Sequence, residues 1–248
     1  MILPLSNSDK KRLLTPIKKT ILQYKMIEDG DRVAIGLSGG KDSSTLLYLL
    51  TLLRRQLPFD FELIPISLSL GFKDFDISPL KTFVEELGHE LYLKETNISQ
   101  IVFEYKQEKN PCSLCANLRR GILFEYAASL NCNKLAYGHH LDDGIETFLM
   151  NLIYGGKLGV FKPMTHMDRS NITLIRPMLA IEEKTIKQFV KSKNIPVIHN
   201  PCPANKNTKR EEMKELVNNL SMKYPDLRKN FMTGAMNVQE EDFWKINR

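Results

Sequence analysis

Ser38-Gly39-Gly40-Lys41-Asp42-Ser43-Ser44 follows the apolar run Arg32-Val33-Ala34-Ile35 and opens a leucine-rich stretch with the look of a helix. These residue types suit an oxyanion. Glycine backbones admit a phosphate closely, and the free N–H groups of a helix start point at it. Ser38, Ser43 and Ser44 add hydroxyl donors, and Lys41 adds a positive charge. Asp42 is the residue out of place, because a carboxylate beside a phosphate repels it unless a cation stands between them. The string therefore predicts Mg²⁺ bridging Asp42 and a phosphate. The spacing is neither the G-x-x-x-x-G-K-S/T loop nor the G-x-G-x-x-G dinucleotide turn. An ordinary glycine turn between strand and helix would explain Ser-Gly-Gly, but not the whole string.

The second reactive set is thiol-based. Of four cysteines, Cys112 and Cys115 form Pro-Cys-Ser-Leu-Cys at the start of a helical run, where the helix field favours thiolate. Cys202 lies in His-Asn-Pro-Cys-Pro, shortly after Ile195-Pro196-Val197-Ile198. Structural disulfides are not expected in a cytosolic chain, so Cys-x-x-Cys reads as a redox pair or a metal site. Three thiolates leave tetrahedral Zn²⁺ one ligand short, which His199 or Cys132 would have to supply. An iron–sulfur cluster held by three cysteines keeps an open iron instead. A buried, inert set is the third possibility. Cys132, in Ser-Leu-Asn-Cys-Asn-Lys-Leu, reads as a packing residue.

Positioning such groups takes alternating strands and helices. RVAIGL, STLLYLLTLLRRQL, FELIPISL, SPLKTFVEELG and HELYLKET alternate strand-like and helix-like runs, and a helix from Cys115 to Leu130, KLAYGHH and DDGIETFLMNLIYGG continue the alternation. After a loop, GGKLGVFKPMTHMDRSN, come ITLIRPM, the helical IEEKTIKQFVKSKN and a short strand-like IPVI; from Thr208 the chain reads as helical. The pattern predicts an α/β fold with a doubly wound, mostly parallel sheet. The expected parts are a basic helical segment (1–29), an oxyanion-loop domain with the cysteine site (30–205) and a C-terminal helical segment (206–248). Ligands in such sheets sit outside the carboxyl ends of the strands, where Gly36–Lys41, the end of FELIPISL and Gly138-His139-His140 all fall.

Hydrophobic residues at 42% and charged residues at 26% suit a globular protein with a substantial core. No apolar run approaches the length of a membrane span, and the start lacks the layout of a signal peptide, so a cytoplasmic enzyme is expected. The 35 basic residues exceed the 29 acidic ones, for a net charge of +6. Between Asp9 and Lys25 stand Lys10, Lys11, Arg12, Lys18, Lys19 and Lys25, with Leu13, Leu14, Ile17, Ile21 and Leu22 at helical spacing. An amphipathic helix there would bury one face and offer the other to solvent or to nucleic-acid phosphates.

SGGKDSS resembles the PP-loop signature of the N-type ATP pyrophosphatases, enzymes that bind ATP, adenylate a substrate and release pyrophosphate. PCSLCANLRRGILFEYA and GHHLDDGIETFLMNLIYGGKL resemble the tRNA 2-thiocytidine synthetase (TtcA-like) family, which joins a PP-loop to a [4Fe-4S] cluster. With the RPM segment and the ending MKYPDLRKNFMTGAMNV, the resemblance spans roughly residues 10 to 238.

The resemblance implies an adenine nucleotide alpha hydrolase-like fold, with ATP, Mg²⁺ and a [4Fe-4S] cluster as cofactors. It makes Leu37, Ser38, Gly39, Gly40, Lys41, Asp42 and Ser43 pyrophosphate positions. It also implies that Leu68 contacts adenine, that Gly138 lets the backbone approach ribose or adenine, and that His139 lies at the nucleotide. Cys112, Cys115 and Cys202 become the cluster ligands. Catalytic roles fall to Lys41, Asp42, Asp143, Cys112 and Cys115, with Asp142 as a helix N-cap. Arg119, Arg120 and Arg176 are candidates for an anion site. The chain departs from the family in two places: HNPCPANKN stands where a second Cys-x-x-Cys is common, and SLSLGF lacks the acidic, glutamine-rich loop.

The implied reaction is tRNA thiolation, at cytidine 32. The base O2 attacks the α-phosphate, pyrophosphate leaves, and sulfide displaces AMP. Implied partners are tRNA, a sulfide donor (a cysteine desulfurase or free sulfide) and a second copy of the chain. Three other readings fit parts of the string. GHHLDDGIETFLMNLIYGG also resembles lysidine synthetases, which need no cluster. The 2-thiouridine enzymes generally carry zinc-binding Cys-x-x-Cys modules, for which this chain has too few cysteines. A sulfur-trafficking protein that binds ATP and a cluster without modifying RNA is the third.

Overall fold

A computed structural model describes residues 5–72, 75–106, 111–198, 202 and 209–239. In chain order the helices are α1 (Asn7–Asp9), α2 (Thr15–Tyr24), α3 (Lys41–Leu53), α4 (Ser78–Glu86), α5 (Ile98–Gln100), α6 (Pro111–Ser129), α7 (Leu141–Gly155), α8 (Glu183–Lys193), α9 (Lys209–Lys223) and α10 (Leu227–Met236). Two π-helical stretches, Lys10–Leu14 and Ile101–Tyr105, continue α1 into α2 and extend α5. The strands are β1 (Arg32–Leu37), β2 (Glu62–Ser69), β3 (Tyr92–Glu95), β4 (Lys134–Ala136), β5 (Met164–Met167) and β6 (Ile172–Ile175).

Among the described residues the strands form one sheet in the order β3-β2-β1-β4-β6-β5, parallel except for the β5–β6 pair. The period-2 alternation of β1 divides its side chains between two cores. Val33, Ile35 and Leu37 join α2, α3, α4 and α8 on one face, while Ala34 joins Phe124 and Ala127 of α6 on the other. This is the expected doubly wound sheet. The strand order reverses at β1, whose neighbours β2 and β4 leave the crevice at their carboxyl ends open to a ligand.

The contacts group the chain into two compact units. The first comprises residues 1–140 and 162–206, the second residues 141–161 and 207–248. The second unit packs Leu141, Ile145 and Val217 with Leu149, Phe231 and Met232 around α7, α9 and α10.

Three elements differ from the sequence reading. Met164–Met167, read as loop, is the antiparallel edge strand β5. The run Ile195–Ile198, read as a strand, joins no ladder among the described residues; its Ile198 N–H goes to the Gly39 carbonyl instead. The helical stretch Ile98–Tyr105 had no counterpart in the reading. The basic N-terminal helix forms as expected and buries Leu13, Leu14, Ile17 and Ile21, although Leu22 is 44% exposed. Two of its cations serve the fold: Arg12 donates to Gln188 Oε1 and Thr185 Oγ1, each at 3.2 Å, and Lys18 donates to the Gln56 carbonyl at 2.8 Å.

Candidate phosphate loop and cysteine site

The loop after β1 is held by its own side chains. Ser38 N–H donates to Ser43 Oγ at 3.2 Å, Gly40 N–H to Ser38 Oγ at 3.3 Å, and Ser43 Oγ–H to the Gly40 carbonyl at 3.1 Å. Leu37 is anchored across the sheet, where its carbonyl accepts Ser67 Oγ–H at 2.8 Å. Gly39 has φ +76°, in the left-handed region that glycine tolerates, and its carbonyl accepts the Ile198 N–H at 2.8 Å. Gly40 precedes α3 in extended conformation, and no side chain among the described residues caps the helix. The first N–H groups of α3, left without a side-chain cap, therefore lie at the positive end of the helix dipole, the arrangement that suits an anion.

Charge converges on the same turn. Lys41 Nζ lies 2.8 and 3.0 Å from the two carboxylate oxygens of Asp42, and 3.0 Å from Glu183 Oε1 at the start of α8. Burial alone lowers the Lys41 pKa, but the Asp42 and Glu183 carboxylates outweigh it and leave the pKa raised, so the side chain is an ammonium at neutral pH. Buried His140 places Nε2 3.7 Å from Asp42 Oδ1. Glu183 was missed in the sequence, where IEEKTIKQF reads only as a helix.

The end of β4 closes the site from the other side. A Cβ on Gly138 would lie 2.8 Å from the Asp42 carbonyl carbon and 3.1 Å from Ser43 N, so only glycine fits against the loop. This close approach of Gly138 is to the backbone of the loop. Arg176 Nε donates to His139 Nδ1 at 3.2 Å, which puts the proton of the neutral ring on Nε2. Arg176 Nη1 donates to the Lys162 carbonyl at 2.6 Å, so much of this half-expected anion donor is spent on the scaffold. Leu68 is buried on β2, opposite Lys94.

The cysteines separate by environment. Cys132 is buried against α6, and burial pushes its thiol up to about 11, which makes it the packing residue expected. Cys115 interacts electrostatically with both Cys112 and Cys202, so the three thiols the sequence reading grouped are neighbours in space. Burial is the largest influence on Cys115 and raises its pKa. The Arg119 guanidinium pulls the other way, and the two neighbouring sulfurs push further up. The helix field alone therefore does not make Cys115 a thiolate, as its place near the start of α6 suggested. Arg119 Nε is buried without a hydrogen-bond partner among the described residues, while exposed Arg120 donates to Asn117 Oδ1 at 3.3 Å.

Among the described residues no three His, Cys, Asp or Glu side chains converge tightly enough to hold a single metal ion. A [4Fe-4S] cluster makes a different demand. Each of its cysteines binds a separate iron, so the sulfurs surround the cluster and need not meet at a point. Cys115, with Cys112 and Cys202 close enough to act on it and the Arg119 cation nearby, fits that demand, since the cation offsets the negative charge of thiolate-ligated iron.

Residues 8–220 match the PP-loop domain family. The tRNA-cytidine(32) 2-sulfurtransferase of Syntrophotalea carbinolica is 38% identical over 235 residues, covering 92% of this chain and 91% of its own. The chain belongs to the PP-loop family, in its 2-thiocytidine synthetase branch. The tRNA-cytidine(32) 2-sulfurtransferase of Geobacter sulfurreducens is 34% identical over 238 residues, 95% of this chain and 93% of its own. Among solved structures, the U34-tRNA thiolase NcsA from Methanococcus maripaludis with its [4Fe-4S] cluster superposes with a TM-score of 0.76 at 27% identity. It covers 94% of this chain and 82% of that one. The loop Ser38–Ser43 lies within the stretch that matches the PP-loop domain.

The PP-loop chain's second unit holds the acidic turn of GHHLDD. Asp142 lies inside the first turn of α7, not at its cap, and takes Arg228 at 2.7 Å. Asp143 Oδ1 accepts from Arg210 Nη2 at 2.9 Å, and the same arginine holds Glu146 through Nε at 3.1 Å. These arginines come from α10 and α9, so the C-terminal helices set the orientation of both aspartates.

Proposed function

We infer that this chain is an ATP-dependent tRNA thiolase that makes 2-thiocytidine at position 32, with AMP and pyrophosphate as products. The observation that carries the reading is the pairing in one chain of a PP-loop domain with Cys115 and the two cysteines, Cys112 and Cys202, that act on it. An oxygen on a pyrimidine is a poor leaving group, and adenylation turns it into AMP.

The PP-loop residues Leu37–Ser43 receive the pyrophosphate portion of ATP on the N–H groups of α3 and the serine hydroxyls. Lys41 neutralises charge as the α–β bond breaks, and Asp42 would hold Mg²⁺, which would supply further positive charge for the leaving pyrophosphate. Leu68, Gly138 and His139 form the nucleoside side. Cys112, Cys115 and Cys202 hold the cluster, which when bound supplies an open, Lewis-acidic iron that keeps sulfide deprotonated. Asp143 is the acid/base candidate for the proton exchanged at the base.

The basic residues Lys10, Lys11, Lys19 and Lys25 of the N-terminal helix offer a surface for tRNA phosphates. The sulfide donor is a cysteine desulfurase or free sulfide, the assembly a homodimer and the setting cytoplasmic. No helix among the described residues is long and apolar enough to cross a membrane.

A second reading, 2-thiouridine formation, draws on the likeness to a U34-tRNA thiolase, but the cytidine-modifying relatives are the more similar in sequence. Incubating the anaerobically reconstituted protein with ATP, sulfide and unmodified tRNA, followed by nucleoside mass spectrometry, separates the two. The expected product is 2-thiocytidine, with AMP formed in step; 2-thiouridine, or AMP with no thionucleoside, would overturn the cytidine assignment.

A further inference from the structure

Glu183 is a buried carboxylate that reaches the phosphate loop from α8. Its two oxygens hold two different ammonium groups: Oε1 lies 3.0 Å from Lys41 Nζ and Oε2 lies 2.9 Å from Lys187 Nζ. Lys41 in turn straddles both oxygens of Asp42. The PP-loop ammonium therefore rests between two carboxylates contributed by different helices, α3 and α8.

We propose that Glu183 is a positioning residue that lets Lys41 release Asp42 to Mg²⁺. The inference rests on the ATP-dependent reading above. Mg²⁺ and the Lys41 ammonium compete for the same two oxygens of Asp42. If Asp42 were the sole counter-charge, metal entry would leave a partly buried ammonium without a partner until phosphate arrived, which is costly. Glu183 supplies a second counter-charge that persists when the metal takes the first. Lys187 holds the far oxygen of Glu183, so the carboxylate stays anchored when Lys41 turns toward phosphate. The short i,i+4 spacing of Glu183 and Lys187 on α8 makes that anchor local.

A salt bridge that merely stabilised the fold would lower melting temperature and nucleotide affinity alike at every metal concentration. A positioning role predicts a shift in the metal requirement itself. The experiment is equilibrium binding of a fluorescent ATP analogue by the full chain, titrated across Mg²⁺ concentration, for the wild type, Glu183→Gln and Glu183→Asp. Glu183→Gln should need about tenfold more Mg²⁺ for half-maximal nucleotide binding, the equivalent of one lost charge pair. At saturating Mg²⁺ its affinity should return to near the wild-type value. Glu183→Asp, which keeps the charge but draws it back by one methylene, should fall between the two.

An unshifted Mg²⁺ midpoint in folded Glu183→Gln overturns the proposal. Should that variant fail to fold, an unshifted midpoint in Glu183→Asp overturns it equally. Failure of the wild type to bind nucleotide at any Mg²⁺ concentration strikes instead at the ATP-dependent reading beneath it.

Discussion

The phosphate loop and the cysteine site are built on opposite plans. The hydrogen bonds among Ser38, Gly40 and Ser43 shape the loop from within, and contacts from Ser67 to Leu37, from Ile198 to Gly39 and from Glu183 to Lys41 brace it. The cysteine site draws two thiols from the start of α6 and a third from far along the chain. The loop carries its shape in its own sequence, so it can be preorganised before ATP arrives. The Cys115 thiol, by contrast, has its pKa raised by burial and further by the neighbouring Cys202 and Cys112, a cost that a bound cluster removes by taking it as thiolate. One site is ready for its ligand, and the other is completed by it.

If the two plans are independent, each site can be broken without the other. The largest effect belongs to Cys112→Ala, which should abolish thiolation and cluster binding while ATP affinity stays at the wild-type level; nucleotide titration beside a thiolation assay checks this. A Cys112→Ala protein that is cluster-free and active would sink the cluster-based mechanism.

Lys41→Ala should cut AMP formation by about 10² to 10³, the scale of one lost electrostatic stabiliser, with iron content unchanged. Gly138→Ala is a smaller perturbation. Its Cβ would stand 2.8 Å from the Asp42 carbonyl carbon, so overpacking of about 1–3 kcal/mol should appear in chemical denaturation, along with weaker ATP binding.

The smallest effect separates the fourth cysteine from the other three. With a thiol pKa of about 11, Cys132 is about one part in a thousand thiolate at pH 8, so iodoacetamide should label exposed Cys112 in the cluster-free protein long before Cys132. Peptide mass mapping reads the order of labelling. Equal rates would place Cys132 outside the core.

The same contrast explains what the sequence disclosed. The strand, loop and helix from Arg32 to Leu53 were legible because contiguous residues determine them: a β-branched run, two glycines, then thirteen helical residues buried on nearly every side. Cys132 was legible as packing because nothing near it suggests chemistry. Glu183 was not, since its partner Lys41 belongs to another helix and no local pattern marks a carboxylate that will face a distant lysine.

The edge strand Met164–Met167 escaped because Met-Thr-His-Met has little β-branched content and pairs on one side only. The run Ile195–Ile198 misled in the other direction: its apolar residues look like a strand, but they serve to hold Gly39 through Ile198. His199, the expected alternative zinc ligand, lies outside the described residues. The joining of Cys202 to Cys112 and Cys115 was reached through family resemblance, because their separation along the chain hides that Cys202 and Cys112 both act on Cys115.

The measurement that bears most directly on the account is the iron and acid-labile sulfide content of the protein purified without oxygen, for the wild type and for Cys202→Ser. The account predicts about four irons and four sulfides per wild-type chain, and a cluster lost or destabilised in the variant. Neither iron nor sulfide in the wild type, after reconstitution as well, would contradict it and leave an adenylating PP-loop protein whose thiols serve another purpose.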